Sequence, residues 1–210
     1  VTQEQPVTEK QSDIIIEFGE REWLAHVGGS FLGPERFGGI SWNWLSDGLG
    51  WCILPPLDCT HDYRLRLEVA PLALYESLLW EFQLCAGDRQ LSRKVIPVKA
   101  EQTTAKFSIA AALKHLGVLP QELEWKILKR DRPQLELRLN DAPLTVLGFD
   151  PVPHVQPQEL MLHHELLKEK NILYFKANYA IARSDVEDSC ADNRLLSFRF
   201  YRLLLEPIMD

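Results

Sequence analysis

The chain has 210 residues, with 23 Lys and Arg against 30 Asp and Glu, a formal net charge of −7, and 46% hydrophobic residues. That length is enough for one domain with a sizeable core, and the acidic balance argues against a dedicated nucleic-acid binder, whose affinity comes from a basic face. No apolar run approaches the roughly 20 residues that span a bilayer and no leader pattern opens the chain, so a soluble, cytoplasmic protein without membrane insertion is expected. Any contact with the inner membrane would then come through a partner or the rest of a longer chain.

Val1–Ser12 is polar and reads as a flexible lead-in or linker remnant, leaving residues 13–210 as a single domain. The polar start and a strand ending close to Asp210 suggest a piece of a longer protein. Short strands are expected at Ile14–Phe18, Trp23–Val27 and Gly50–Leu54. Strict alternation marks Tyr63–Val69, with Tyr63, Leu65, Leu67 and Val69 on one face, and then Leu78–Leu84, followed by Ala86-Gly87-Asp88 as a hairpin turn. A long excursion covers Leu91–Leu116 and includes a short helix over Ser108–Leu116, with Ser as N-cap and Gly117 as stop. Alternation returns at Leu123, Trp125 and Ile127 and at Leu135, Leu137 and Leu139, and Asn140-Asp141 supplies turn chemistry. A strand follows at Leu144–Phe149. Pro157–Lys170 reads as a second helix, with Leu160, His164 and Leu167 at helical spacing. Asn171–Tyr179 and Leu195–Leu205 complete about ten strands, most with one polar face, and so predict an all-β, jelly-roll-like, two-sheet antiparallel sandwich carrying one or two short helices.

The densest aromatic run is Phe31 to Trp51. Trp42 and Trp44 share one face of a strand, with Asn43 on the other. Indole rings stack on the C–H faces of sugars, and Glu35, Asn43 and Asp47 can bond hydroxyls from a glycine-laced loop. The alternative is that these rings are core plugs of the sandwich, which is where most large aromatics go. Trp44 is expected buried beside a Glu35–Arg194 ion pair, and Trp42 nearer the rim. Asp185, Glu187, Asp188 and Asp192 form an acidic stretch that could gather around Ca²⁺, though it lacks EF-hand spacing and reads first as a solvated loop. Otherwise no cofactor is expected. His163-His164-Glu165 lacks a zinc pattern. A P-loop, a nucleophile elbow and a dinucleotide fingerprint are equally absent. Cys52, Cys59, Cys85 and Cys190 are expected to be reduced thiols.

Gly33-Pro34-Glu35-Arg36-Phe37-Gly38, Ser41-Trp42-Asn43-Trp44, Ser46-Asp47-Gly48 and Asp192-Asn193-Arg194-Leu195-Leu196-Ser197-Phe198-Arg199 together resemble a β-sandwich accessory domain. That domain occurs beside bacterial glycosyltransferases and related cell-envelope polysaccharide enzymes. The likeness runs from about Phe18 to Glu206; the Pro157–Lys170 segment and the Leu91–Leu116 excursion depart from it. It implies a galactose-binding-like module that assists glycan handling without being the transferase. The expected partners are a glycan or a glycosyltransferase, and the candidate ligand residues are Trp42, Trp44, Trp51, Glu35, Asn43, Asp47, Asp192 and Arg194. A domain that docks a partner enzyme, or a jelly-roll hydrolase or lyase, are the alternatives, since sandwiches host all three.

Overall fold

The computed structural model describes residues 12–72, 77–86, 89–99, 123–130, 132–185 and 190–209. The lead-in, apart from Ser12, and the helix expected over Ser108–Leu116 lie outside the described residues. The chain forms an all-β sandwich in antiparallel sheets, with helix among the described residues confined to 3-10 turns. Its strands are β1 (Ile14–Glu17), β2 (Val27–Phe37), β3 (Ile40–Ile53), β4 (Asp62–Pro71), β5 (Ser77–Ala86), β6 (Arg89–Lys99), β7 (Leu123–Arg130), β8 (Gln134–Leu139), β9 (Ala142–Gly148), β10 (Gln156–Leu162), β11 (Ile172–Ala177), β12 (Ile181–Ala182), β13 (Leu195–Leu196) and β14 (Phe198–Ile208).

Among the described residues the main sheet has nine strands, in the order β10-β4-β14-β3-β11-β8-β9, with β1 beside β14 and β2 beside β3. Strands β6-β5-β7 form a separate three-stranded sheet, and β12 pairs with β13. The main sheet folds over on itself because β3 changes partner along its length. Asn43–Leu45 pairs with β14, and Leu49–Ile53 pairs with β11. Between the two halves the register against β2 slips, so that Ser46–Leu49 bulges out of the ladder and Gly48 takes a φ of 111°. The extra residues restore inward facing, with Leu45 buried in the first half and Cys52 in the second.

Alternation then builds the core. Tyr63, Leu65, Leu67 and Val69 of β4 are fully buried, as are Leu135, Leu137 and Leu139 of β8. An aromatic cluster joins the two layers: Phe175 of β11 meets Phe200 of β14 at 4.8 Å between ring centroids, with interplanar angle 68°, and Phe18 and Phe31 pack on the same rings. These tilted and edge-on geometries suit the quadrupoles of the rings.

Three sequence expectations are corrected. The glycine-laced run after Phe31 is not an open loop but the β2–β3 hairpin, closed by Gly38 and Gly39 at φ 58° and 80°, a two-residue turn that needs positive φ at both positions. Trp23–Val27 is not a strand: Arg21–His26 forms a 3-10 turn leading into β2. Pro157–Lys170 is not a helix. Gln156–Leu162 pairs antiparallel with β4 from Gln156↔Val69 to Leu162↔Tyr63, and only His164–Leu166 makes a single 3-10 turn. Proline is tolerated at position 157 because β10 is an edge strand. Burial alternates along it, ending at a fully buried Leu162, so tertiary pairing overrides the helical spacing. The Asn140-Asp141 turn forms as expected, with Asn140 at φ 54° between β8 and β9.

Phe200→Ala should lower the unfolding free energy by about 3–5 kcal/mol, measured by chemical denaturation, because it empties a site lined by aromatic rings.

Candidate functional site

The outer face of the β3–β14 layer holds Trp42, Trp44, Arg199 and Tyr201. Arg199 stands opposite Trp44 in the ladder, and its guanidinium lies 5.2 Å from the Trp44 ring centroid and 5.7 Å from that of Trp42. Its Nη2 donates to the Pro153 carbonyl at 3.1 Å, which holds the cation in place. Tyr201, at the irregularity in β14, packs 6.3 Å from Trp42. Trp44 is only 4% exposed, whereas Trp42 is half-buried.

Beside them runs a charged chain. Arg194 Nη1 donates to Glu35 Oε1 at 2.6 Å, while Arg194 Nε and Nη2 donate to the Asp192 carboxylate at 3.0 and 2.7 Å. Glu35 Oε2 accepts from the Trp44 indole at 3.2 Å. The pairing of Arg194 holds the Asp192 carboxyl below the usual carboxylate range and raises Arg194 further above its already high value. The expected Glu35–Arg194 pair therefore forms, with Trp44 buried against it. Every strong hydrogen-bonding group of this constellation is taken up within the protein, so it serves the packing of β2 and the Asp192–Leu195 segment onto β3.

Trp51 lies elsewhere. It sits on the outer face of the other layer, in a row that runs Gly28, Trp51, Tyr174, Arg138 across β2, β3, β11 and β8. The neighbouring rows, such as Cys52, Leu173 and Leu139, are fully buried, so this row points outward. The indole packs closely against the two glycines. A Cβ on Gly28 would come within 2.3 Å of Trp51 Cζ2, and one on Gly29, whose φ is 71°, within 3.0 Å of Trp51 Cδ1. Only residues without side chains let the ring rest on the sheet in this way. Trp51 and Tyr174 are half-buried and Arg138 is exposed; Lys176, exposed, and Glu136 lie opposite each other in the next outward row, beside Leu49 and Val146.

The remaining candidates separate from both faces. Asn43 is 1% exposed and faces the core, where its Oδ1 accepts from the Gly33 N–H at 2.9 Å, so it is a structural residue of the hairpin and not a surface one. Asp47 is exposed on the β3 bulge, its carbonyl accepting from Ser30 Oγ at 2.8 Å. Glu187 and Asp188 lie outside the described residues, as does the side chain of Asp185. Among the described residues, no three His, Cys, Asp or Glu side chains converge as metal ligands. His163 and His164 instead both meet Asp62: their Nδ1 atoms lie 3.1 and 2.8 Å from its oxygens, and the His164 backbone N–H donates at 2.7 Å. These bonds, led by the backbone donor, pull the Asp62 carboxyl down to about 2, and they tie the end of β10 to the start of β4. Cys52, Cys59 and Cys190 are free thiols, and burial pushes Cys52 up to about 12. No helix among the described residues is long and apolar enough to cross a membrane.

Arg138, Tyr174, Lys176 and Arg199 escaped the sequence reading. Each sits in an ordinary alternating strand, and only cross-strand register sets Arg199 opposite Trp44, Tyr174 opposite Trp51, and Arg138 and Lys176 on the same outward face as Trp51. The Gly28-Gly29 pair was a local signal for the close approach of a ring.

No family model matches the chain, and no curated protein matches it. Among solved structures it is similar to the exo-β-1,3-galactanase of Phanerochaete chrysosporium in its structure with galactose, at 9% identity and a TM-score of 0.38, over 93% of this chain and 30% of that one. It is also similar to the C-terminal CBM6 of the laminarinase LamC from Zobellia galactanivorans, at 9% identity and a TM-score of 0.30, over 92% of this chain and 98% of that one. The chain thus spans less than a third of the galactanase, and neither likeness places a residue of this protein.

Trp44→Ala should cost about 3–5 kcal/mol in urea unfolding through lost burial and a residual cavity, whereas Trp51→Ala should cost under about 1 kcal/mol. Asp62 has a depressed carboxyl, so its contribution to stability is full above the unfolded value of roughly 4 and is lost as pH falls toward 2. Thermal melts of Asp62→Asn should therefore lie below wild type at pH 7 and converge with it by about pH 2.

Proposed function

We propose that the protein is a carbohydrate-recognition module that seats a glycan on the outer face of the β3–β11–β8 layer. The observation that carries this reading is the Trp51 indole packed directly against Gly28 and Gly29 in an outward row with Tyr174 and Arg138. An indole on an outward sheet face suits the flat C–H face of a pyranose. The row around it supplies groups that bond hydroxyls: the phenol of Tyr174, the cations of Arg138 and Lys176, and the carboxylate of Glu136. The finer reading, an accessory module beside a polysaccharide-assembling glycosyltransferase, draws its support from the Gly33–Gly48 and Asp192–Arg199 runs.

The ligand face proposed here differs from the one suggested by the Trp42–Trp44 pair. Trp44 is too deeply buried to receive a sugar, and Trp42 is held by Arg199 and Tyr201. A second reading, docking of a protein partner, has one observation in its favour: Phe37 and Ile40 are 80% and 59% exposed at the tip of the β2–β3 hairpin.

Calorimetry against a panel of envelope and plant oligosaccharides tests the proposal. Trp51→Ala should abolish binding with the melt nearly unchanged, and Gly28→Ala should weaken it by tilting the ring while Trp51 itself remains. The double variant Phe37→Ser, Ile40→Ser should leave sugar binding intact. A folded wild-type sample that binds no member of the panel would overturn the reading, and loss of a stoichiometric protein partner in the hairpin variant would move the lead to docking.

A further inference from the structure

We infer that the glycan held on the Trp51 face is acidic, a uronate-bearing chain whose carboxylate is taken between Arg138 and Lys176 while a neighbouring ring stacks on Trp51. This rests on the carbohydrate reading above and adds the chemical class of the ligand.

Charge pairing elsewhere on the surface is the first observation. The chain carries seven more carboxylates than cations, and cations near its strands are commonly matched, as in Arg64 with Glu206 and Arg132 with Asp150. Arg138 and Lys176 are exceptions. The nearest turn carboxylate, Asp141, is given to Lys168 at 3.1 Å, and among the described residues Arg138 Nη2 donates only to the Asp141 carbonyl, at 3.3 Å. Lys176 has no ion-pair or hydrogen-bond partner among the described residues. Two unmatched cations on one small patch of an acidic protein form a local reversal of its field, which favours an anion.

Register supplies the geometry. Tyr174 stands opposite Arg138, and Lys176 opposite Glu136, so Arg138 and Lys176 are diagonal neighbours on one outward face. Such positions lie about 7–8 Å apart, a gap that two long side chains close onto one carboxylate. The guanidinium can engage both oxygens of that group while the ammonium adds a point charge. Glu136 is the one carboxylate in these two rows; it leaves the patch at a net charge of +1 and accepts a hydroxyl, so the fit is to a single carboxylate per site and not to a densely charged polyanion. From Trp51 to Arg138 the ladder crosses two strand spacings, about 10 Å, which is the reach of a disaccharide. A chain laid across the strands can therefore stack one ring on Trp51 and present the acid of the next to the cations.

The experiment compares oligogalacturonate, oligoglucuronate and alginate fragments, each against its own carboxyl-reduced form, by calorimetry on the whole chain. At least one acidic member should bind about 10-fold more tightly than its reduced counterpart, with that advantage shrinking as salt rises. Arg138→Gln and Lys176→Gln should each remove most of the advantage, weakening the acidic form far more than its reduced counterpart, with the melt unchanged. Equal affinity for acidic and reduced forms, or an acidic preference that survives both substitutions, overturns this inference and leaves carbohydrate recognition standing. Binding of no glycan at all by the folded wild type overturns the underlying reading with it.

Discussion

Strand β3 is the element on which the rest of the molecule depends. It hydrogen-bonds to β14 over one half and to β11 over the other, so one chain segment carries the backbone ladders of both layers. Side chains alternate with a period of two, so a continuous ladder through this corner would turn the core-facing residues of one half outward in the other. The bulge at Ser46–Leu49 prevents that, with Gly48 adopting a backbone conformation that side chains disfavour. Leu45 and Cys52 then both point inward, and the aromatic cluster of Phe18, Phe31, Phe175 and Phe200 can close between the layers.

The same bulge sorts the tryptophans. Trp42, Trp44 and Trp51 all end on outer faces, but of different halves and with different cover. Trp42 and Trp44 receive Arg199, and Trp44 also gives its indole N–H to Glu35, which is bound in turn by Arg194. Exposed ion pairs contribute little singly. Here the guanidinium bridges two carboxylates and fixes the segment before β13 against β2, so its effect is positional. Trp51 packs against Gly28 and Gly29 instead, and is half-buried. The cover that an outward indole receives is thus decided by its cross-strand neighbours.

The acidic surface also gains meaning from the fold. Most carboxylates near strands are matched locally, and Asp62 shows how far this goes, since it accepts from a backbone N–H and stands against two imidazoles. Against that background the unmatched Arg138 and Lys176 stand out, although as sequence they are only two of the outward polar residues in alternating strands.

Alternation in Tyr63–Val69 and Leu135–Leu139 already determined the strands and their buried faces, because a period of two admits only one way to bury those side chains. The Asn140-Asp141 turn and the Glu35–Arg194 pairing beside a buried Trp44 were equally legible, the first from local backbone chemistry and the second from complementary charges near the two ends of the chain. Gln156–Leu162 was not legible. Its spacing suits a helix, and only the free edge of β4, an element far away in sequence, makes it a strand. Nor could the sequence separate Trp51 from Trp42 and Trp44, or bring Tyr174, Arg138 and Lys176 to it. Those juxtapositions arise from a corner in β3 and from the register of β11 and β8 across it, which are long-range pairings that no local pattern encodes.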